Sequence, residues 1–185
     1  MALTESTMLE LGTDAPEFVL TDVISGKIVR RDDFNDKTAL LVMFICAHCP
    51  YVKHIEKSLG KLGSDYAGKP IGIVAISSND ADNFPADKPE GLKAQAHANG
   101  FTFPYLYDES QAVARAYMAA CTPDFFLFDS TRRLVYRGQY DSSRPGNGVP
   151  VTGEDLRSAI DTILAGKPVS TDQRPSIGCN IKWKQ

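Results

Sequence analysis

The segment that most constrains this chain runs from Ala39 to Tyr66. Ala39-Leu-Leu-Val-Met-Phe-Ile45 is a continuous apolar run of the kind a central strand shows when both of its faces are covered. The run extends to Ala47, well short of the roughly 20 residues that span a bilayer. From Pro50 the period changes, with Tyr51, Val52, Ile55, Leu59, Leu62 and Tyr66 recurring at every third or fourth position. That spacing predicts an amphipathic helix with Pro50 in its first turn. Between the two elements stands Cys46-Ala-His-Cys49, so a pair of cysteines two residues apart is expected where a buried strand feeds a helix N-terminus.

Helix-start amides and the helix dipole favour a thiolate there, and the two-residue spacer lets the second sulfur close a small disulfide ring. On this reading Cys46 is an exposed nucleophile and Cys49 a more buried resolving thiol. His48 would donate to the thiolate or place positive charge near it, lowering its pKa and making the disulfide a stronger oxidant. Reactive cysteines in such motifs span pKa values from about 3.5 to about 7, so the pair alone does not fix the direction of electron flow. An exposed loop histidine and a pair of inert buried cysteines are the plainer alternatives. Zinc would need four ligands. The chain has no second Cys-x-x-Cys and no His-x-x-x-His, and His54 would join Cys46, Cys49 and His48 only with strained geometry, so no metal and no cofactor are expected.

The remaining pattern builds an α/β sandwich around this unit. Phe18 to Val23 and Ile28-Val29 read as a hairpin across Ser25-Gly26-Lys27. Pro70 to Ile76 is a second buried strand, Pro89 to Ala98 a helix and Tyr105 to Tyr107 a short extended segment. A helix is predicted over Ser110 to Ala120, capped by Asp108 or Ser110. Strands at Asp124–Phe128 and Leu134–Tyr136 are joined by a turn, and Thr152-Gly-Glu-Asp155 opens a last helix that stops at Gly166-Lys-Pro168. This order implies a mixed sheet between helices in one domain, 1–185, with a core at about 13–166 and a tail, 167–185, that shows no period. Arg144 to Pro150 is glycine-rich but lacks the ending of a phosphate loop, and reads as a surface loop. Thr122-Pro123 opens a strand where proline removes a ladder donor. A cis proline whose neighbours' backbone faces a bound peptide would account for it, with an ordinary trans proline at a loop end as the alternative.

Charge narrows the partners. Lys plus Arg less Asp plus Glu is 20 − 23 = −3, so no global positive field draws the chain to nucleic acid or anionic lipid. Arg30-Arg31, Arg132-Arg133 and Lys182-Trp183-Lys184 read as solvated basic spots. Four cysteines are too few for a disulfide scaffold, and Met1 to Gly12 lacks the apolar stretch of a secretory signal, so a cytoplasmic location is expected.

These residues resemble the thioredoxin-like superfamily: the strand, Cys-x-x-Cys and helix at 39–66, and the Thr-Pro, strand, turn, strand and helix at 122–165, stand in its order. Gly12-Thr-Asp-Ala-Pro-Glu-Phe18 is similar to the opening segment of the AhpC/TSA, peroxiredoxin-related branch. Phe44 to His54, Cys121 to Asp129 and Pro175 to Trp183 resemble a bacterial group within it that carries a Cys-x-His-Cys-Pro motif. The resemblance implies a thioredoxin-like three-layer sandwich with an N-terminal β-hairpin extension and a C-terminal tail. It implies that Cys46 and Cys49 are the redox pair, that Pro123 is the cis proline, and that Thr122 and Pro123 line the substrate groove. The activity implied is thiol-disulfide exchange with protein or small-molecule thiols.

Departures from the family pattern are specific. Ile45 stands where thioredoxin has Trp, Pro50 where it has Lys, and Leu40 where it carries a buried Asp. Proton handling must therefore differ. The peroxiredoxin signature Pro-x-x-x-Thr-x-x-Cys would place Cys49 as the peroxidatic residue but Cys46 for the Thr and Val42 for the Pro, with Cys121 or Thr122 at the expected Arg. A thiol peroxidase acting on peroxide is thus the first rival, and a redox-sensing binding domain using the groove at Pro123 the second. Cys121, beside the proline, is a candidate reserve thiol or a small buried hydrophobe. Cys179, in the tail, is a candidate to fold over the site and pair with Cys121 or Cys46.

Overall fold

The computed structural model describes residues 3–185; Met1 and Ala2, at the start of the segment read for a leader, lie outside them. Its centre is β4 (Ala39–Phe44), buried at every position as its unbroken apolar sequence requires. It pairs in parallel with β5 (Ile71–Ser77), which pairs in parallel with β6 (Tyr105–Tyr107). On its other side β4 pairs antiparallel with β8 (Asp124–Phe128), followed by β9 (Leu134–Tyr136). The hairpin of β2 (Val19–Asp22) and β3 (Ile28–Arg30) completes a seven-stranded mixed sheet in the order β3-β2-β6-β5-β4-β8-β9.

Strand alternation divides the core into two layers. Leu41, Met43 and Ile45 pack with Ile55 and Leu59 of α1 (Pro50–Asp65), Leu92 of α2 (Pro89–Asn99) and Ile160 of α4 (Glu154–Leu164). Leu40, Val42 and Phe44 pack on the opposite side with Phe18, Phe126, Phe128 and the short α3 (Ala112–Ala116). The result is the thioredoxin-like three-layer sandwich. Among the described residues no helix is long and apolar enough to cross a membrane.

Two sequence expectations change. The helix expected over Ser110 to Ala120 is confined to Ala112–Ala116, because Tyr117 turns into the core, where its hydroxyl donates to the Pro16 carbonyl (2.8 Å), and Met118 takes a left-handed conformation (φ 52°). That turn delivers the chain to a two-residue strand, β7 (Cys121–Thr122). The tail, in which no period was legible, contains β10 (Ile177–Asn180), which lies antiparallel between β7 and β1 (Leu3–Glu5) in a second, three-stranded sheet.

Candidate active site

Two pairings bring the site together. Ile45 continues the β4 ladder by donating to the Ile76 carbonyl (3.0 Å), after which the chain turns through Cys46 to His48. Cys49 is the N-cap of α1, and Pro50 at the first helical position has no N–H to leave unsatisfied. Because β8 runs antiparallel to β4 with Phe44 opposite Asp124, the residues just before β8 reach the same end of the sheet. Thr122-Pro123, joined by a cis peptide bond, therefore stands against the cysteines. Thr122 Oγ1 lies 3.4 Å from Cys46 Sγ, and a protonated Cys49 donates to the Thr122 carbonyl at 3.3 Å. Cys179 of β10 comes from the other side: its Sγ is 2.7 Å from that of Cys49, rather than beside Cys46 or Cys121 as the sequence reading expected. No disulfide joins any of the four cysteines.

The sulfurs are covered. Cys46 and Cys49 are 0% exposed and Cys179 is 4% exposed, which corrects the expectation of an exposed Cys46 beside a more buried Cys49. The cover is β10, whose Cys179 stands opposite Thr122 in the ladder.

Asp87 fixes the loop between the cysteines. It is fully buried at the end of a 3-10 turn (Pro85–Asp87). Its Oδ1 accepts from the Ala47 and His48 amides (2.8 and 3.1 Å), and its Oδ2 meets His48 Nδ1 (2.5 Å) and accepts from Asn79 Nδ2 (2.9 Å). His48 stacks on Phe84 at 4.9 Å, and its Nε2 is buried without a hydrogen-bond partner. The imidazole is thus bonded to a carboxylate and lends no unopposed positive charge to a thiolate. Cys46, His48 and Asp87 place one ligand atom each within 4.8 Å of one another, the set best placed here to hold a metal ion, although His48 and Asp87 already satisfy each other. His54 lies elsewhere, on the wall of a small cavity with Tyr140 and Pro123.

The charge in this cluster rests on Cys49. Burial, the hydrogen bond to Cys49 and the Asp87 carboxylate push the Cys46 thiol well up. The Cys49 thiol is held down to about 4 by the hydrogen bond from Cys46, which outweighs burial, with help from Cys179. The Val52 amide at the start of α1 adds to this without closing a capping hydrogen bond. Cys179 is pushed up to about 12, chiefly by burial and by holding the proton shared with Cys49. Burial alone would raise Asp87, but its bonds from His48 and Asn79 hold it below the usual carboxylate range. Cys121 is fully buried beside Pro123, where burial and Asp124 push its thiol far up and its Sγ contacts the Pro123 carbonyl (3.5 Å). Asp87 was missed in the sequence because it sits in an aperiodic turn with no motif around it.

The model of the AhpC/TSA family matches residues 11–137. The chain belongs to that family. An uncharacterized conserved protein from Geobacillus kaustophilus is 55% identical, with a TM-score of 0.97 over 100% of this chain and 97% of that one. The thiol-disulfide oxidoreductase ResA of Geobacillus kaustophilus (strain HTA426) is 28% identical over 68% of this chain and 67% of its own length. A putative peroxiredoxin of Mycobacterium tuberculosis, Rv2521, is 30% identical over 63% of this chain and 69% of its own. The fold alone is shared with the thioredoxin domain of a thiol-disulfide oxidoreductase from Bacteroides vulgatus, at 21% identity and a TM-score of 0.65 over 84% of this chain and 99% of that one.

Proposed function

We propose that this AhpC/TSA-family protein is a thiol-disulfide oxidoreductase working through a Cys46-Cys49 disulfide, with the backbone around Thr122 and Pro123 as its substrate rest. The observation that carries the assignment is the pair itself: two cysteines two residues apart at the junction of a central strand and a helix N-terminus, with the Thr122 hydroxyl 3.4 Å from Cys46 and its carbonyl 3.3 Å from Cys49. The protein is an oxidoreductase of thiols and disulfides, as the ResA resemblance supports. Oxidation of the dithiol forms the Cys46–Cys49 bond and releases two electrons to the substrate disulfide, which leaves as two thiols.

The peroxidase reading draws on the family and on the likeness to the putative peroxiredoxin. Against it, the groups that hydrogen-bond Cys46 and Cys49 among the described residues are other sulfurs, Thr122 and the Val52 amide, with no guanidinium among them to hold a peroxide. Reduction of insulin disulfides with a dithiol supply, compared in wild type and Cys46→Ser, tests the assignment. Activity lost in the variant is the expected result. Equal activity in the variant, or rapid hydrogen peroxide consumption without disulfide reduction, overturns it.

A further inference from the structure

We propose that Cys179 is a third redox thiol, carried by β10 as a built-in substrate, that exchanges with Cys46 for the bond to Cys49. This rests on the reading of Cys46 and Cys49 as a redox pair and goes beyond it.

The placement of β10 carries the argument. The strand lies antiparallel along Cys121-Thr122, the two residues before Pro123, with Cys179 opposite Thr122 and Asn180 opposite Cys121. It therefore occupies the backbone edge that the sequence reading assigned to a bound peptide. Gly178 makes the approach feasible: a Cβ there would stand 2.0 Å from the Thr122 carbonyl oxygen and 3.2 Å from Pro123 Cδ. The segment is fastened at both ends. Ser176 Oγ donates to the Pro123 carbonyl (2.6 Å), and the Lys182 amide and carbonyl bond to Asn79 and Gln111 (2.8 Å each). This holds a cysteine with its sulfur 2.7 Å from Cys49, on a strand where a substrate cysteine would ride.

The exchange balances without an outside reagent. Cys179 attacks Sγ of Cys49 in the Cys46–Cys49 disulfide; the Cys49–Cys179 bond forms as the Cys46–Cys49 bond breaks. The thiol proton of Cys179 passes to the departing Cys46, whose buried surroundings disfavour an anion. Oxidation state is conserved, and Cys49 is the shared sulfur. Because Cys179 is the least buried of the three, the exchange moves the disulfide outward from a sulfur that no substrate reaches in this conformation.

Disulfide mapping on the full chain tests this. Wild type is equilibrated in mixtures of oxidised and reduced dithiothreitol, quenched in acid, alkylated and digested for mass spectrometry. The expected result is two species, Cys46–Cys49 and Cys49–Cys179, with Cys46→Ser yielding an intramolecular Cys49–Cys179 bond. Gly178→Val, which forces β10 away from Thr122, should deplete the Cys49–Cys179 species relative to Cys46–Cys49. Cys179 fully alkylated in both wild type and Cys46→Ser, or bonded to Cys121 instead, overturns the proposal, as does an unchanged ratio in Gly178→Val. A wild type showing both Cys46–Cys49 and Cys49–Cys179 but no insulin reduction would instead sink the reductase reading, so the two failures are distinct.

Discussion

The distribution of charge over the sulfurs predicts how the reduction potential depends on pH. Reducing the Cys46–Cys49 disulfide takes up two electrons and as many protons as the product binds. With Cys49 held down to about 4 and Cys46 pushed well up, the dithiol at neutral pH carries one proton. A tenfold change in a two-electron equilibrium is about 30 mV, so one proton per reduction gives a slope of about −30 mV per pH unit, where two protons would give about −60. The shallow slope should hold from about pH 5 to pH 8 and steepen as pH falls below the Cys49 pKa. It is also unchanged if the bond to Cys49 is held by Cys179, because that reduction likewise returns one thiolate and one thiol.

Stability moves in the same window. An unfolded cysteine titrates near 8.5. Cys49 has a depressed folded value, so its contribution is complete above the unfolded pKa and is lost as pH falls through the folded one, about 4. The oxidised protein has no such group. Lowering the pH from about 8.5 toward 4 should therefore destabilise reduced protein relative to oxidised protein. Equilibration with dithiothreitol mixtures at fixed pH values, read by alkylation, measures the potential. A slope near −60 mV per unit across pH 5 to 8 would refute the reasoning, since it requires both sulfurs protonated in the reduced state.

Two carboxylates furnish further tests. Asp87→Asn keeps an acceptor for the Ala47 and His48 amides but removes the charge beside Cys46 and turns an amide group toward His48 or Asn79. Denaturant titration should show a loss of about 1–3 kcal/mol, and ultraviolet thiolate titration a more acidic Cys46; an unmoved Cys46 would remove Asp87 from the electrostatic account. Asp124 is raised to about 7 by burial, which the hydrogen bond from the Ala120 amide offsets only in part, so it favours the fold most below its unfolded pKa near 3.8, and stability falls as pH rises through 7. Asp124→Asn should flatten that fall in the oxidised protein, where Cys49 does not contribute, and a pH profile identical to wild type would refute it.

What the sequence made legible were the features with long or regular signals. The unbroken apolar run from Ala39 leaves β4 no place but the centre of a sheet, and the apolar stripe from Tyr51 to Leu62 requires α1 to pack on it. The spacing of Cys46 and Cys49 and the proline at 123 singled out residues that the structure brings together. The covering of that site was not legible. β7 and β10 are two and four residues long, too short to show a period, and they are joined by backbone hydrogen bonds that no side-chain pattern records. Cys179 was visible as a candidate, but its partner lies 130 residues away, and only the register of β10 against β7 selects Cys49. The long reading of α3 failed for a related reason: local propensity favours Ala112 to Ala120, while the packing of Tyr117 and the need to reach β7 end the helix early.

The absence of a buried acid at Leu40 changes where protons can go. Leu40 is fully buried among apolar residues of the layer that holds Phe18 and Phe126, so it supplies neither charge nor proton. The carboxylate that does approach the pair is Asp87, and its four hydrogen bonds keep it ionised across the neutral range. A group that stays ionised cannot relay a proton; it can only bias the pair, and its bias is against a thiolate on Cys46. Asp124 titrates near neutrality but starts β8 opposite Phe44, on the face of the sheet away from the cysteines. The side chains that hydrogen-bond the Cys46 and Cys49 sulfurs are the other thiols and Thr122. Within that set Cys49 is the acceptor, because it alone faces two thiol donors and a helix N-terminus.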